Sequence, residues 1–166
     1  MLPIALDPTV LRIGLAGAGE SLTRRRRTLA EGGVEPVAVQ DTGASLAGLH
    51  LLFVAGLDRT DAEALAARAR ALGVLVNVED VPELCDFHVP AILRRGDLAL
   101  TVSTSGKAPG LARLLREWLG QAFGAEWQAR LDQLAQARRD WKAEGLTAGE
   151  VSSRTRALVA REGWLT

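Results

Sequence analysis

Cysteine occurs once in this chain, at Cys85, so no disulfide can form within it and a reducing cytoplasm is the natural setting. Histidine occurs twice, too seldom for a His-rich metal site. Net charge is missing as well: 20 basic side chains balance 20 acidic ones, which argues against nucleic acid or an anionic membrane as the main partner. No apolar run approaches the roughly 18 residues that a bilayer span needs. The opening stretch, MLPIALDP, has neither a basic start nor a long apolar run, so no signal peptide is expected. Internal repeats and low-complexity linkers are absent too. What is present is 166 residues with 48% hydrophobic content, enough for one ordinary domain, or one plus a small appendage.

Residues 11–16 (LRIGLA) are short and apolar and lead straight into Gly17-Ala18-Gly19. Residues 20–32 have helical character and end on Gly32-Gly33, and residues 34–39 form the next expected strand. This is a β-α-β unit with a glycine pair at its first turn. Glycine lets the backbone approach a pyrophosphate, and the helix N-terminus offers free N–H groups and a positive dipole end. Gly17, Gly19, Glu20 and Ser21 are therefore the expected phosphate turn. Asp41 lies roughly 20 residues on, where an acidic side chain can bond an adenosine ribose, with Thr42 beside it. A glycine pair of this kind also occurs at turns that carry it for packing alone. The third small residue of the fingerprint would fall at Leu22, which is expected to push the helix away from the sheet.

Residues 49–55 (LHLLFVA) suit a strand buried on both faces, ending at Gly56-Leu57-Asp58. Thr60-Asp61-Ala62-Glu63 reads as a capping box for a helix to about Ala71, with Gly73 as its stop and a strand at 74–78. A second strand is expected at 98–103, then a Gly/Ser/Thr-rich turn and a helix opening at Pro109. Residues 122–144 read as helix, and Thr147-Ala148-Gly149-Glu150 as a capping box before a last helix to about Glu162. Trp118, Trp127, Trp141 and Trp164 are spaced as core or interface anchors.

The stretch 76–119, VNVEDVPELCDFHVPAILRRGDLALTVSTSGKAPGLARLLREWL, carries a more specific signal. Its order and spacing resemble the precorrin-2 dehydrogenase and sirohydrochlorin ferrochelatase family, the N-terminal module of sirohaem synthase. The resemblance implies an α/β fold: a Rossmann-like NAD-binding domain over 1–80, a dimerisation segment over 81–119 and a helical C-terminal domain over 120–166. It also implies that one crossover element has been shortened, because only Gly43-Ala44-Ser45 stands between Thr42 and Leu46 where relatives carry about twenty more residues. The implied activity is NAD-dependent oxidation of precorrin-2 to sirohydrochlorin, with Fe²⁺ insertion in bifunctional members, by a cytoplasmic homodimer. The alternative is a trimmed, non-redox relative that binds or metallates a tetrapyrrole or is inactive; Leu22, Gly56-Leu57-Asp58 and the missing crossover favour it.

Asp80 matches the family's active-site carboxylate, placed at a strand end as a general base. Its other reading is a cap on the turn before Pro82. Gly56 falls on the cofactor-lining strand end. Thr104, Ser105, Lys107 and Arg113, before and within the helix at Pro109, offer an anion seat for the substrate's carboxylates; the plainer reading is a simple helix start. Arg24 and Arg25 fall on the family's Arg-Lys pair, either as a solvated helix face or as cation support for phosphate or carboxylate. His88 reads as a packed residue rather than a ligand, no metal residue is assigned, and Cys85 reads as an inert thiol.

Overall fold

A computed structural model describes residues 2–165. The described chain divides into two compact units, one ending at Val89 and the other beginning at Pro90. The first holds β1 (Ile13–Gly17), α1 (Gly19–Glu31), β2 (Val37–Val39), β3 (Leu51–Ala55), α2 (Arg59–Ala71) and β4 (Leu75–Val78). The four strands make one parallel sheet in the order β2-β1-β3-β4, with Gly14 opposite Val37 and Leu52, and Val54 opposite Val78.

Alternation along the strands builds two cores. Ala16, Leu52, Val54, Val76 and Val78 pack with Ala62, Leu65, Ala66 and Ala69 of α2, while Ile13, Leu15, Leu51 and Phe53 pack with Leu29 of α1 and with Leu22. A helix therefore covers each face, which is why all five residues of β3 are buried. Leu22 takes its place in the second core, so α1 accommodates the larger side chain by packing on it.

β2 is shorter than the expected strand over 34–39. Val34 donates its N–H to Leu29 O at 3.0 Å, closing the end of α1, and Pro36 lacks a donor for the sheet. No helix joins β2 to β3. Asp41 Oδ1 instead accepts from Gly43 N at 2.7 Å, Leu46 and Leu49 turn into the core, and Arg68 donates to Ala44 O at 2.9 Å. β2 is thus the sheet's edge on the side of the shortened crossover.

The capping box expected at Thr60 does not form. Asp58 is the N-cap of α2, accepting from Asp61 N at 2.9 Å, and Glu63 pairs with Arg59 at 2.6 Å. The helix starts at Arg59, so Thr60 already lies inside it.

The second unit opens with a hairpin, β5 (Ala91–Arg95) and β6 (Leu98–Val102), paired antiparallel around Gly96-Asp97. β5 lies where no strand was expected. Gly96 has φ +58°, a left-handed backbone that favours glycine at this turn. α3 (Pro109–Ala122), α4 (Glu126–Ala143) and α5 (Ala148–Arg161) follow. Ala122 ends α3 instead of starting the next helix, because the chain breaks at Phe123–Ala125. Arg95 fastens that end, donating to Phe123 O at 2.8 Å and Gly120 O at 3.1 Å. The capping box at Thr147 forms as expected: Glu150 Oε2 accepts from Thr147 N at 2.8 Å. Trp127 packs between Phe123 and Trp164 with Arg130 over its ring at 5.0 Å, whereas Trp118 is 63% exposed.

Candidate nucleotide crevice and acidic turn

Parallel strands deliver their C-terminal ends to one edge of the sheet. Along that edge come Asp41 after β2, Gly17 at the end of β1, Gly56 after β3, and Glu79 and Asp80 after β4. The chain leaves β1 toward β2 on one side, while β3 lies on the other, so the switch point falls between β1 and β3. The two strand ends interlock there. Ala18 N donates to Ala55 O at 3.1 Å, and a Cβ at Gly17 (φ +147°) would sit 1.8 Å from that same oxygen. A Cβ at Gly56 (φ +72°) would meet Ala18 O at 2.4 Å and Ser21 Cβ at 3.1 Å.

Gly19, the first residue of α1, faces open space, with nothing within 4 Å of where a Cβ would stand. The N-cap is Ala18, which offers no side chain, so no cap satisfies the first-turn N–H groups. Unspent N–H groups beside a glycine-lined approach fit a dinucleotide's phosphates. Glu20 stands exposed in that turn as a local negative charge. Asp41, exposed, accepts from Gly43 N with one carboxylate oxygen, and half-buried Thr42 lies in the same turn.

Asp80 has φ +61°, a left-handed backbone that non-glycine residues rarely adopt. Its side chain is exposed and accepts no hydrogen bond among the described residues. The capping reading therefore fails: the short 3-10 turn Pro82–Leu84 has Val81 at its N-cap, without a side-chain bond. What holds the turn is the segment behind it. Glu79 N donates to Val54 O at 2.9 Å, and Cys85 Sγ receives Val78 N at 3.3 Å while donating to Val78 O at 3.1 Å. Burial pushes the Cys85 thiol up, against the smaller opposing pull of its backbone bond. Asp86 accepts from Val76 N at 2.9 Å and pairs with Arg70 at 2.9 Å, and the buried Asn77 donates to Phe87 O at 2.9 Å. The link is hydrogen-bonded onto β4, and Asp80 stands exposed in the turn between them.

Glu79 is the site residue that sequence reasoning missed. It is 14% exposed and pairs with Arg24 at 3.2 Å and Arg25 at 3.6 Å. Arg25 is only 16% exposed and lies over the Phe53 ring at 5.4 Å, so it is no solvated face. The partners stand 55 positions apart in the chain, and nothing in the spacing joins them.

In the second unit, Thr104 Oγ1 accepts from Ala108 N at 3.2 Å and Lys107 N donates to Thr104 O at 3.0 Å, folding the turn before α3. Ser105 has φ +53° and is exposed, as is Lys107. Arg113 is paired with Glu117 at 2.9 Å, whereas Lys107 has no ion-pair partner among the described residues. His88 is exposed. Among the described residues no group of three His, Cys, Asp or Glu side chains is arranged to hold a metal ion, and no helix is long and apolar enough to cross a membrane.

Residues 37–91 match a family model described as "Putative NAD(P)-binding", and residues 95–121 match one described as "Sirohaem biosynthesis protein central". The sirohaem synthase of Stutzerimonas stutzeri strain A1501 is 32% identical over 178 residues, covering 95% of this chain and 35% of the relative. That of Pseudomonas putida strain F1 is 36% identical over 139 residues, covering 68% of this chain and 30% of the relative. That of Methylococcus capsulatus strain Bath is 48% identical over 69 residues, covering 42% and 15%. The chain thus spans about a third or less of the length of these curated relatives. A solved precorrin-2 dehydrogenase has the same fold, with a TM-score of 0.77 and 18% identity across 100% of this chain and 93% of that one. The chain is similar to the NAD(P)-binding and central modules of the sirohaem synthases.

Proposed function

We propose that the protein is a precorrin-2 dehydrogenase that oxidises precorrin-2 to sirohydrochlorin with NAD⁺ in the cytoplasm. The observation that carries this reading is Asp80, an exposed carboxylate held in a left-handed turn on the same sheet edge as the glycine crevice. Loss of two hydrogens from the macrocycle requires a hydride acceptor and a base. NAD⁺, bound along Gly17, Gly19, Glu20, Ser21 and Gly56, would supply the acceptor. Asp80 takes the proton, and its freedom from hydrogen bonds keeps both oxygens open for that transfer. The overall balance is precorrin-2 and NAD⁺ giving sirohydrochlorin, NADH and one proton. Thr104, Ser105, Lys107 and Arg113 are the seat we propose for an anionic group in the second unit. Where Fe²⁺ is a further substrate, the same Asp80 accepts the pyrrole protons.

Cofactor choice rests on Asp41. Its carboxylate can accept a bond from a ribose 2′-OH and would repel a 2′-phosphate. Calorimetric titration is expected to give NAD⁺ at least about tenfold tighter binding than NADP⁺. Equal or tighter NADP⁺ binding contradicts this role for Asp41. One observation favours the non-redox alternative: Gly56 and Asp58 are spent on packing against Ala18 and on capping α2, leaving little at that strand end for a ligand. Absence of binding by either nucleotide would decide for it.

The same reading makes residues 1–80 the nucleotide domain, 81–119 the dimerisation segment and 120–166 a helical cap. Support for a homodimer comes from α3, where Leu111, Leu114, Leu115 and Trp118, spaced as one stripe, are 50%, 63%, 40% and 63% exposed. The opposite face, with Ala112, is the buried one. A two-stranded hairpin with free edges also invites a second copy. Sedimentation at micromolar concentration should return a dimer, and Trp118→Asp should shift it toward monomer. A parent sedimenting as a monomer of 17.7 kDa contradicts the assembly.

A further inference from the structure

Glu79 takes no part in the proton transfer above, yet its carboxylate is 14% exposed and both of its partners come from α1. Glu79 is partly buried, and two guanidinium groups share its carboxylate. Arg24 Nη2 stands 3.2 Å from Glu79 Oε1 and 3.1 Å from Ser21 Oγ, so one nitrogen links the end of β4 to the third residue of α1. β4 is separated from β1 by β3 in the sheet, so backbone pairing does not join the phosphate turn to the Asp80 turn directly. Arg25 completes the brace. It lies over Phe53, whose ring meets Phe87 edge-on at 5.2 Å, and Phe87 O is held by Asn77 of β4.

We infer that Glu79 and Arg24 form a positioning clamp for the dinucleotide, fixing the phosphate turn of α1 at a set distance from the strand end that carries Asp80. This rests on the dehydrogenase reading. A ligand long enough to touch both ends, such as NAD⁺, gains from having that distance set in advance. AMP, which engages only the phosphate turn and the Asp41 side, gains nothing from it. Glu79 and Arg24 are positioning residues here, acting through the turns they join.

The test is calorimetric titration of the full chain with NAD⁺ and with AMP, in the parent, Glu79→Gln, Arg24→Gln and the double variant. Glu79→Gln keeps the side-chain volume and an acceptor for Arg24. Arg24 is 52% exposed, so its replacement buries nothing and supplies a folded variant should Glu79→Gln fail to fold. The expected result is NAD⁺ binding weakened about 5- to 20-fold in each single variant and no further in the double, because the two residues act as one unit. AMP binding stays within about twofold of the parent. Equal loss of AMP and NAD⁺ binding, additive losses, unchanged binding, or tighter NAD⁺ binding from freed arginines each overturns the clamp. A parent that binds no NAD⁺ overturns the dehydrogenase reading and the clamp with it; a parent that binds while both variants bind equally well overturns the clamp alone.

Discussion

Asp80→Asn is expected to lower precorrin-2 turnover by about 10²- to 10⁴-fold, the usual cost of losing a general base. NAD⁺ affinity and thermal stability should stay nearly unchanged. The substitution isolates the proton transfer for three structural reasons. Asparagine tolerates the left-handed backbone at φ +61° almost as well as aspartate does. The side chain is exposed, so its volume is not part of a core. Among the described residues it accepts no hydrogen bond, so no cap is lost with the charge. Asp80→Ala would be a poorer test, since it adds backbone strain of about 1 kcal/mol or more to the chemical loss. Full activity in Asp80→Asn, measured beside an unchanged melting temperature, would remove Asp80 from the mechanism.

Gly17→Ala should be the most damaging small substitution in the crevice. The new Cβ would be built 1.8 Å from Ala55 O, a backbone atom with no rotamer to change, at a φ of +147° that L-residues rarely adopt. Relief requires β1 and β3 to part at the switch point, at an expected cost of about 2–4 kcal/mol. For a chain of this size that corresponds to a fall in melting temperature of about 5–15 °C, with loss of NAD⁺ binding. Gly19→Ala is the matching control: φ is +64° but nothing lies within 4 Å, so only backbone strain applies. Its melting temperature should fall by less than half as much. A Gly17→Ala protein as stable as the parent would mean that the Ala18–Ala55 interlock is not what closes the crevice.

The parallel sheet was legible in the sequence because burial on both faces produces unbroken apolar runs, as in LLFVA, with glycines at the turns that follow. The shortened crossover was legible too, and its structural counterpart is the Asp41–Gly43 turn with Leu46 and Leu49 folded beneath. β5 escaped notice because it ends on Arg94-Arg95 and turns through Gly96-Asp97, a pair whose hairpin role depends on the strand that follows. The start of α2 was misread since two acceptors, Asp58 and Thr60 on either side of Arg59, each offered a cap, and only the folded chain selects Asp58. The placement of the turn glycines and Asp41 at strand ends was accessible from local spacing, whereas Asp80 was singled out by resemblance. Glu79 was not, since its meaning depends on Arg24 and Arg25 arriving from a different element across β3. The pairing of Arg113 with Glu117 was open to inference from its i, i+4 spacing.

The central claim, that this chain oxidises precorrin-2 with NAD⁺, is tested most directly by an anaerobic single assay. Purified protein is mixed with precorrin-2 and NAD⁺, and NADH and sirohydrochlorin are followed together by absorbance. The account predicts that the two products rise in step, one NADH for each sirohydrochlorin, at a rate proportional to protein. Sirohydrochlorin forming no faster than without protein, with no NADH produced, would contradict it.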